Sequence, residues 1–345
     1  MSYRKLYIKL TNWEYWPFHI LYGPIYFYWF WLCIKARSFF FFNTSNPTIR
    51  YGGFLMESKK EIYDLLPKEL YPATILCNAS QSFDEIKKSK DLHHIHYPLI
   101  AKPDIGLRGM SVALLHSETE LLQYHNSCKV DYLIQAYVPY EDEVGIFYYR
   151  YPGEATGKIS GIVGKELLKV KGDGQSSIHQ LIVKNDRFAL QLDTLRLMYG
   201  DELNQVLKYN EERLLVPFGN HCRGAKFIDF TSLATRELNE TIDKICSQIP
   251  GFYFGRLDIK YNNWDELCKG KNISIIELNG AGSEPAHIYD PKHSLWFAWK
   301  VIIHHWKVLY KISKMNKEKK NLHYMSMNDG LKMFKDNSKH IKLIA

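Results

Sequence analysis

Cysteine is sparse and scattered in this chain. The six cysteines, Cys33, Cys77, Cys128, Cys222, Cys246 and Cys268, form no C-x-x-C pair. That excludes a zinc ribbon, a redox dithiol and a secreted disulfide framework, and it favours a reducing, cytoplasmic location. Glycine and proline, 21 and 13 in 345 residues, are too few for a collagen-like or low-complexity chain. There is no internal repeat. Neither G-x-x-x-x-G-K-[ST] nor G-x-G-x-x-G with a helix after it occurs, which removes two common Gly-rich routes to a phosphate. A clean membrane span is missing too. Tyr15 to Ile34 is uncharged and long enough to cross a bilayer, but it contains Pro17, His19, Gly23 and Pro24. Its bulk is Tyr and Trp, which favour the headgroup boundary over the hydrocarbon centre. It is not a signal peptide either, because no small-residue cleavage site follows.

What is present begins with length: 345 residues predict two or three cooperating domains with a sizeable core. The net charge of +8 suggests nucleic acid until it is located. Lys307 to Ala345 carries ten lysines against Glu318, Asp329 and Asp336, which is seven of the eight net charges. The rest of the chain is nearly neutral, so no nucleic-acid partner is expected. The basic end reads as a solvated, poorly ordered tail or as a contact for an anionic surface. At the other end, half of the thirty residues from Trp13 to Phe42 are Phe, Tyr or Trp. An aromatic end and a basic end together supply the two signals of peripheral membrane binding, so contact with an anionic membrane surface and an amphiphilic substrate are expected. An aromatic core helix or a dimer face is the alternative.

Asn43 to Gly53 reads as a loop and Glu57 to Leu66 as a helix. From His96 the pattern turns to strands: YPLIAKP, MSVALL, VDYLIQAYV, EVGIFYYRY and KISGIVGKELLKV, the last two as an antiparallel meander. His93, His94 and His96 lack acidic or Cys partners nearby and read as a solvated loop. Thr235 to Gln248 is an amphipathic helix, and Leu295 to about Ile312 is another. Between them lies the chemistry. In GRLDIKY, period-2 alternation puts Arg256 and Asp258 on one face, and in ISIIELN it puts Glu277 and Asn279 on one face. Neighbouring antiparallel strands would bring together one Arg, two carboxylates and an amide. Such hard oxygen ligands suit Mg²⁺ bound jointly with phosphates. Upstream, Lys102 ends an apolar run and is followed by DIGLRG, a loop whose backbone amides and Arg108 suit phosphate oxygens.

A strand lysine, a Gly-rich loop, an apolar strand with an acid shortly after it, and a closing Arg/Asp and Glu/Asn strand pair resemble the ATP-grasp superfamily. Within it the pattern is similar to the D-alanine:D-alanine ligases, from about Lys59 to Asp290, most specifically in GRLDIKY and IIELNGAGSEP. The resemblance implies an α+β ATP-grasp fold, two subdomains with antiparallel sheets enclosing ATP. It divides the chain into an aromatic segment (1–56), a small subdomain (57–134), a large subdomain with the Mg²⁺ site (135–310) and a basic tail (311–345). Carried over, it implies that Lys59, Lys102 and Lys165 bind phosphates, with Gly106, Arg108 and Gly109 in the covering loop. The backbone of Ala136 and Val138 would hold adenine with Gln135 beside it, and Glu143 would take the ribose. Arg256 would steady the transferring phosphate, and Asp258, Glu277 and Asn279 would ligate two Mg²⁺. Ser283 and Glu284 fall in the substrate loop, and His221 and Arg223 flank a turn open to a carboxylate contact.

The expected activity is a Mg²⁺- and ATP-dependent carboxylate–amine ligase that passes through an acyl phosphate, acting on small-molecule or lipid-like carboxylates and amines. Two alternatives stand beside it: an ATP-grasp kinase that phosphorylates a hydroxyl, and a membrane-associated binding protein with a vestigial nucleotide site.

Overall fold

The computed structural model describes residues 3–106, 109–216, 219 and 221–344. Its described strands are β1 (Thr74–Cys77), β2 (Leu99–Pro103), β3 (Ala113–Leu115), β4 (Tyr132–Ala136), β5 (Asp142–Tyr149), β6 (Lys158–Glu166), β7 (Leu168–Lys171), β8 (Glu212–Val216), β9 (Lys226–Asp229), β10 (Phe254–Tyr261) and β11 (Ile273–Asn279). They form a four-stranded sheet in the order β1-β4-β2-β3, a five-stranded sheet β11-β10-β5-β6-β9, and the β7-β8 ribbon. Every pairing is antiparallel. With helices filling the rest, the protein is α+β, as the sequence pattern implies.

In the four-stranded sheet the alternation of side chains sorts them between two environments. Leu99 and Ala101 of β2, with Tyr132 and Ile134 of β4, pack against helices Phe83–Leu92 and Glu118–Ser127 through Ile86 and Leu121. Both helices begin at a serine, Ser82 or Ser117, whose hydroxyl accepts the backbone N–H three residues on, satisfying an otherwise orphaned donor. The intervening residues Ile100, Lys102 and Gln135 face a cavity between the two large sheets. In the five-stranded sheet, Leu257, Ile259 and Tyr261 join the core built on helix Arg236–Ser247, and Arg256, Asp258 and Lys260 face the same cavity.

The N-terminal aromatic segment is not a free-standing membrane element. Leu32, Cys33, Phe41 and Phe42 are buried with Phe147 of β5, Phe254 of β10 and Val308, Leu309 and Ile312 of helix Leu295–Lys319. Each fully buried phenylalanine contributes about 1.5–3 kcal/mol, so this stretch is part of the core. The side chain of Asn46, fully buried, clamps the segment to β10. It donates to the carbonyls of Gly52 and Phe254 and accepts from the amides of Tyr253 and Phe254. The segment also has an exposed side. Phe27, Phe30, Trp31 and Ile34 recur at helical spacing in helix Tyr26–Ala36 and are 82%, 50%, 47% and 74% exposed. Among the described residues no helix is long and apolar enough to cross a membrane.

The basic end differs from a disordered tail. Helix Leu295–Lys319 runs on past the expected stop at Ile312, and a further helix, Met327–Ile344, follows it. The second helix folds back over the cavity. Phe334 lies against Phe40 and Phe54, Met333 is buried, and the helix end reaches the Gly-rich loop.

Candidate active site

Arg256 stands opposite Asn279, and Asp258 opposite Glu277, across the β10–β11 pair. The structure thus brings the four polar residues of the two motifs onto one face. Strict alternation in β11 would have put Ile273 and Ile275 on that face as well. A bulge avoids this: Asp258 pairs with Glu277 but Ile259 with Ile275, leaving Ile276 unmatched. The inserted residue reverses the phase, so Ile273 and Ile275 reach the core while Glu277 and Asn279 reach the cavity. Gly145 of β5, opposite Asp258, is required by close approach. A Cβ there would meet Asp258 Oδ1 at 2.9 Å and Val163 Cγ1 at 2.8 Å.

The bulge also turns the Ile276 carbonyl toward Lys102. Lys102 Nζ donates to Ile276 O at 3.1 Å, to Gln135 Oε1 at 2.9 Å and to the Tyr63 hydroxyl at 2.9 Å, while Tyr63 itself donates to Ile276 O. Burial pulls the Lys102 pKa down to about 8, with the Glu277 carboxylate opposing the fall. Lys165 Nζ lies 2.5 Å from Glu143 Oε1 and 3.4 Å from Asp258 Oδ1. Burial would lower its pKa, but the Asp258 and Glu143 charges outweigh burial and hold it above the ordinary lysine value. Arg256 donates to both oxygens of Asp258, at 3.0 and 3.1 Å. Asp258 is pushed up by burial, and Arg256 and Lys165 reverse that and hold its carboxyl below the usual range.

Some sequence expectations meet different surroundings. Gln135 does not offer a free amide to a base: its carbonyl is on Lys102 and its Nε2 donates to Thr74 Oγ1 at 2.8 Å. The Ala136 N–H is taken by Ala73 O at 2.8 Å, whereas Val138 lines the cavity. Glu143 is paired with Lys165. Lys59, at the start of helix Lys59–Leu65, donates to the carbonyls of Asp104 and Gly106, at 3.3 and 3.1 Å, and so holds the Gly-rich loop from beneath. Gly106 and Gly109 line the cavity, and Arg108 lies outside the described residues. The Ser283 hydroxyl donates to Gly280 O at 2.5 Å within its own turn. That turn is docked on the N-terminal segment: Ala281 N donates to Gly52 O and Gly282 N to Gly53 O. Gly53 and Gly280 permit this contact, since a Cβ on either would lie 2.7 Å from the other's Cα.

His221 and Arg223 line the cavity at its side. His221 Nε2 lies 3.1 Å from Glu14 Oε2, which also accepts from Arg187 Nη2 at 2.7 Å. The backbone oxygen of Glu284 accepts from Arg256 Nη1 at 3.2 Å, and its carboxylate accepts from the hydroxyls of Tyr22 and Tyr289, at 2.5 and 3.3 Å. The sequence pattern gave no sign of Tyr63, Glu14 and Tyr22. Glu57 is another unforeseen acid near the site. Among the described residues its shielded Oε2 has no hydrogen-bond partner, and burial raises its pKa, with Lys59 and Glu277 within electrostatic range.

Asp258, Glu277 and Asn279 offer hard oxygens on one face. The Glu277 carboxylate makes no hydrogen bond or ion pair to a described residue, and Asn279 Nδ2, an N–H donor that suits an acceptor such as a phosphate oxygen and not a cation, is buried without a partner among the described residues. Polar groups left unsatisfied in this way fit a site completed by a ligand. Among the described residues no three His, Cys, Asp or Glu side chains form a metal cluster. The histidines at 93, 94 and 96 are exposed. His305 is buried against Ser160 Oγ at 2.8 Å, and His304 is exposed.

No family model matches the chain, and no curated protein matches it in sequence. Among solved structures it is similar to a bifunctional glutathione synthetase from Pasteurella multocida, at 14% identity and a TM-score of 0.41 over 76% of this chain and 38% of that one. It is similar to a D-alanine–D-alanine ligase from Bacillus anthracis, at 15% identity and a TM-score of 0.40 over 76% of this chain and 68% of that one. It is also similar to the VanG D-Ala:D-Ser ligase from Enterococcus faecalis, at 14% identity and a TM-score of 0.41 over 73% and 61%. The chain thus spans well under half of the synthetase.

Proposed function

We propose that this protein is a Mg²⁺- and ATP-dependent carboxylate–amine ligase. The observation that carries the reading is the β10–β11 register, with Asp258 opposite Glu277 and Arg256 opposite Asn279, on the wall of a cavity that Lys59, Lys102 and Lys165 also line. Such a set of fixed cations and oxygen ligands suits phosphoryl transfer, in which side chains do positioning and charge neutralisation and little covalent work. Magnesium held by Asp258, Glu277 and Asn279 would supply the charge that offsets a triphosphate. A substrate carboxylate attacks the γ-phosphorus, the bond to ADP breaks, and an acyl phosphate forms. An amine then attacks the acyl carbon and expels inorganic phosphate, losing a proton. Arg256, on the same face, is placed to steady the transferring group, and Lys102 and Lys165 to bind phosphate oxygens. The Gly-rich loop, held by Lys59, keeps water from the acyl phosphate.

The test is ADP release over a panel of amino acids, peptides and acylated amines. Equimolar free phosphate and a new amide support the ligase; phosphate retained on the acceptor identifies the kinase alternative; no ADP above background with any acceptor, together with no ATP binding, refutes both. The exposed face of Phe27, Phe30, Trp31 and Ile34 supports a second element of the reading, work at an anionic membrane surface, because contiguous exposed apolar side chains mark contact sites.

A further inference from the structure

Lys102, Lys165, Arg256 and Asp258 line only part of their cavity. The volume is about 1180 Å³, above the roughly 300–1,000 Å³ of ordinary small-molecule sites. From Arg256 and Glu284 it continues into a chamber walled by Tyr26, Trp29, Phe42, Phe54, Trp306 and Phe334. These rings come from three separate stretches: the N-terminal aromatic segment, helix Leu295–Lys319 and helix Met327–Ile344. A chain that wanted only a core would close such a space, since unfilled apolar volume is destabilising. The chamber also has a mouth. Met327 and Leu331 line it while remaining 49% and 57% exposed.

We infer that this chamber binds an extended apolar arm of one of the two substrates, a hydrocarbon chain or fused rings, while that substrate's polar end lies beside Arg256. The inference rests on the ligase reading for the identity of the polar end, a carboxylate or an amine. It assigns the aromatic N-terminal segment a role in substrate selection. The arm enters past Met327 and Leu331 and is held by aromatic faces, and the junction with the reacting end is marked by Glu284 under the hydroxyls of Tyr22 and Tyr289.

The experiment uses the full chain and two homologous series, straight-chain carboxylates and straight-chain amines, each kept below its micelle concentration. Naphthyl compounds of equal carbon number form a separate arm. Binding is followed by tryptophan fluorescence, and ATP affinity is measured independently. Each methylene buried should tighten binding about three- to fourfold until the chamber is full, in one of the two series. Leu331→Glu at the mouth should flatten that dependence with its melting temperature retained, and Met327→Glu serves if the first variant does not fold. A steeper gain in the naphthyl arm identifies a ring-shaped occupant, and a steeper gain in the alkyl arm a chain. If ATP binds but affinity is independent of carbon number in both series and both arms, the inference fails and the ligase reading stands. If carbon number matters but ATP does not bind, the chamber is upheld and the ligase reading fails.

Discussion

Lys102→Met isolates the chemistry of the site most cleanly. The lysine is buried, and its pKa lies near 8 against an ordinary 10.5. That gap corresponds to about 3 kcal/mol of unfavourable burial of the charged form. The folded value is below the unfolded one, so the unfolded chain binds the extra proton between about pH 8 and 10.5. The penalty is therefore full below about pH 8 and fades as pH rises to 10.5. Methionine keeps the apolar stem and removes the penalty. It leaves Gln135 Oε1 without its donor, at about 1–3 kcal/mol, while Ile276 O keeps the Tyr63 hydroxyl. The two effects nearly cancel, so the melting temperature should change little. Nucleotide binding should not escape so lightly: losing a charge-assisted hydrogen bond costs about 1.5–3 kcal/mol, or roughly tenfold to a hundredfold in affinity. Lys165 and Arg256 stay charged, their pKa values being raised, so Lys102 governs the pH response. Its protonated fraction falls about tenfold from pH 7 to pH 9, and wild-type ATP affinity should fall with it while the variant's stays flat. Calorimetric titrations of both proteins at the two pH values check this. Equal affinities for wild type and variant, with no pH response in either, would show that Lys102 touches no phosphate.

Glu277→Gln should reduce ADP formation at least about a hundredfold, because it removes charge from the carboxylate pair proposed to hold magnesium. It should change the thermal melt little, since among the described residues the Glu277 carboxylate has no hydrogen bond or ion pair to lose, only longer-range attraction to Lys102 and Arg256; turnover at the wild-type rate refutes the metal assignment. Asp258→Asn should be equally inactive but also less stable, by about 3–5 kcal/mol, because it strips a counter-charge from Arg256 and Lys165. His340 Nε2 lies 2.7 Å from Ile105 O, so His340→Ala should lower stability by about 0.5–1.5 kcal/mol and, by loosening the Gly-rich loop, weaken ATP affinity several-fold, as a thermal melt and an ATP titration would read. Vesicle flotation tests the membrane reading: binding to anionic vesicles should persist at high salt in the wild type and vanish in a Phe27→Glu, Ile34→Glu double variant, and wild-type protein that ignores vesicles overturns it.

How much of this was legible beforehand depends on whether a signal is local. GRLDIKY and ISIIELN carry their polar residues in the wrong places for a bland core; alternation puts Arg256 with Asp258 and Glu277 with Asn279, and pairing the two strands as antiparallel neighbours brings the four together. The bulge at Ile276 does not follow, because a one-residue insertion changes no composition; its trace is that strict alternation would align Ile275 with Glu277, a conflict that only a phase change removes. Tyr63, Glu14 and Tyr22 reach the site from segments distant in sequence, and no spacing rule joins Tyr22 to Glu284 across 262 positions. The aromatic segment was ambiguous for a different reason: Trp, Tyr and Phe serve a core, a headgroup boundary and a ligand wall equally well, and here one stretch supplies the core with Phe41, the outer surface with Phe27 and the chamber with Trp29. The basic end held a readable clue beneath its charge. Met327, Leu331 and Phe334, with Gly330 and Met333 between them, recur at the spacing of a helix with one apolar face. Such a face needs a partner, and the exposed lysines that share the helix are the solvated side of an element whose other side closes the cavity.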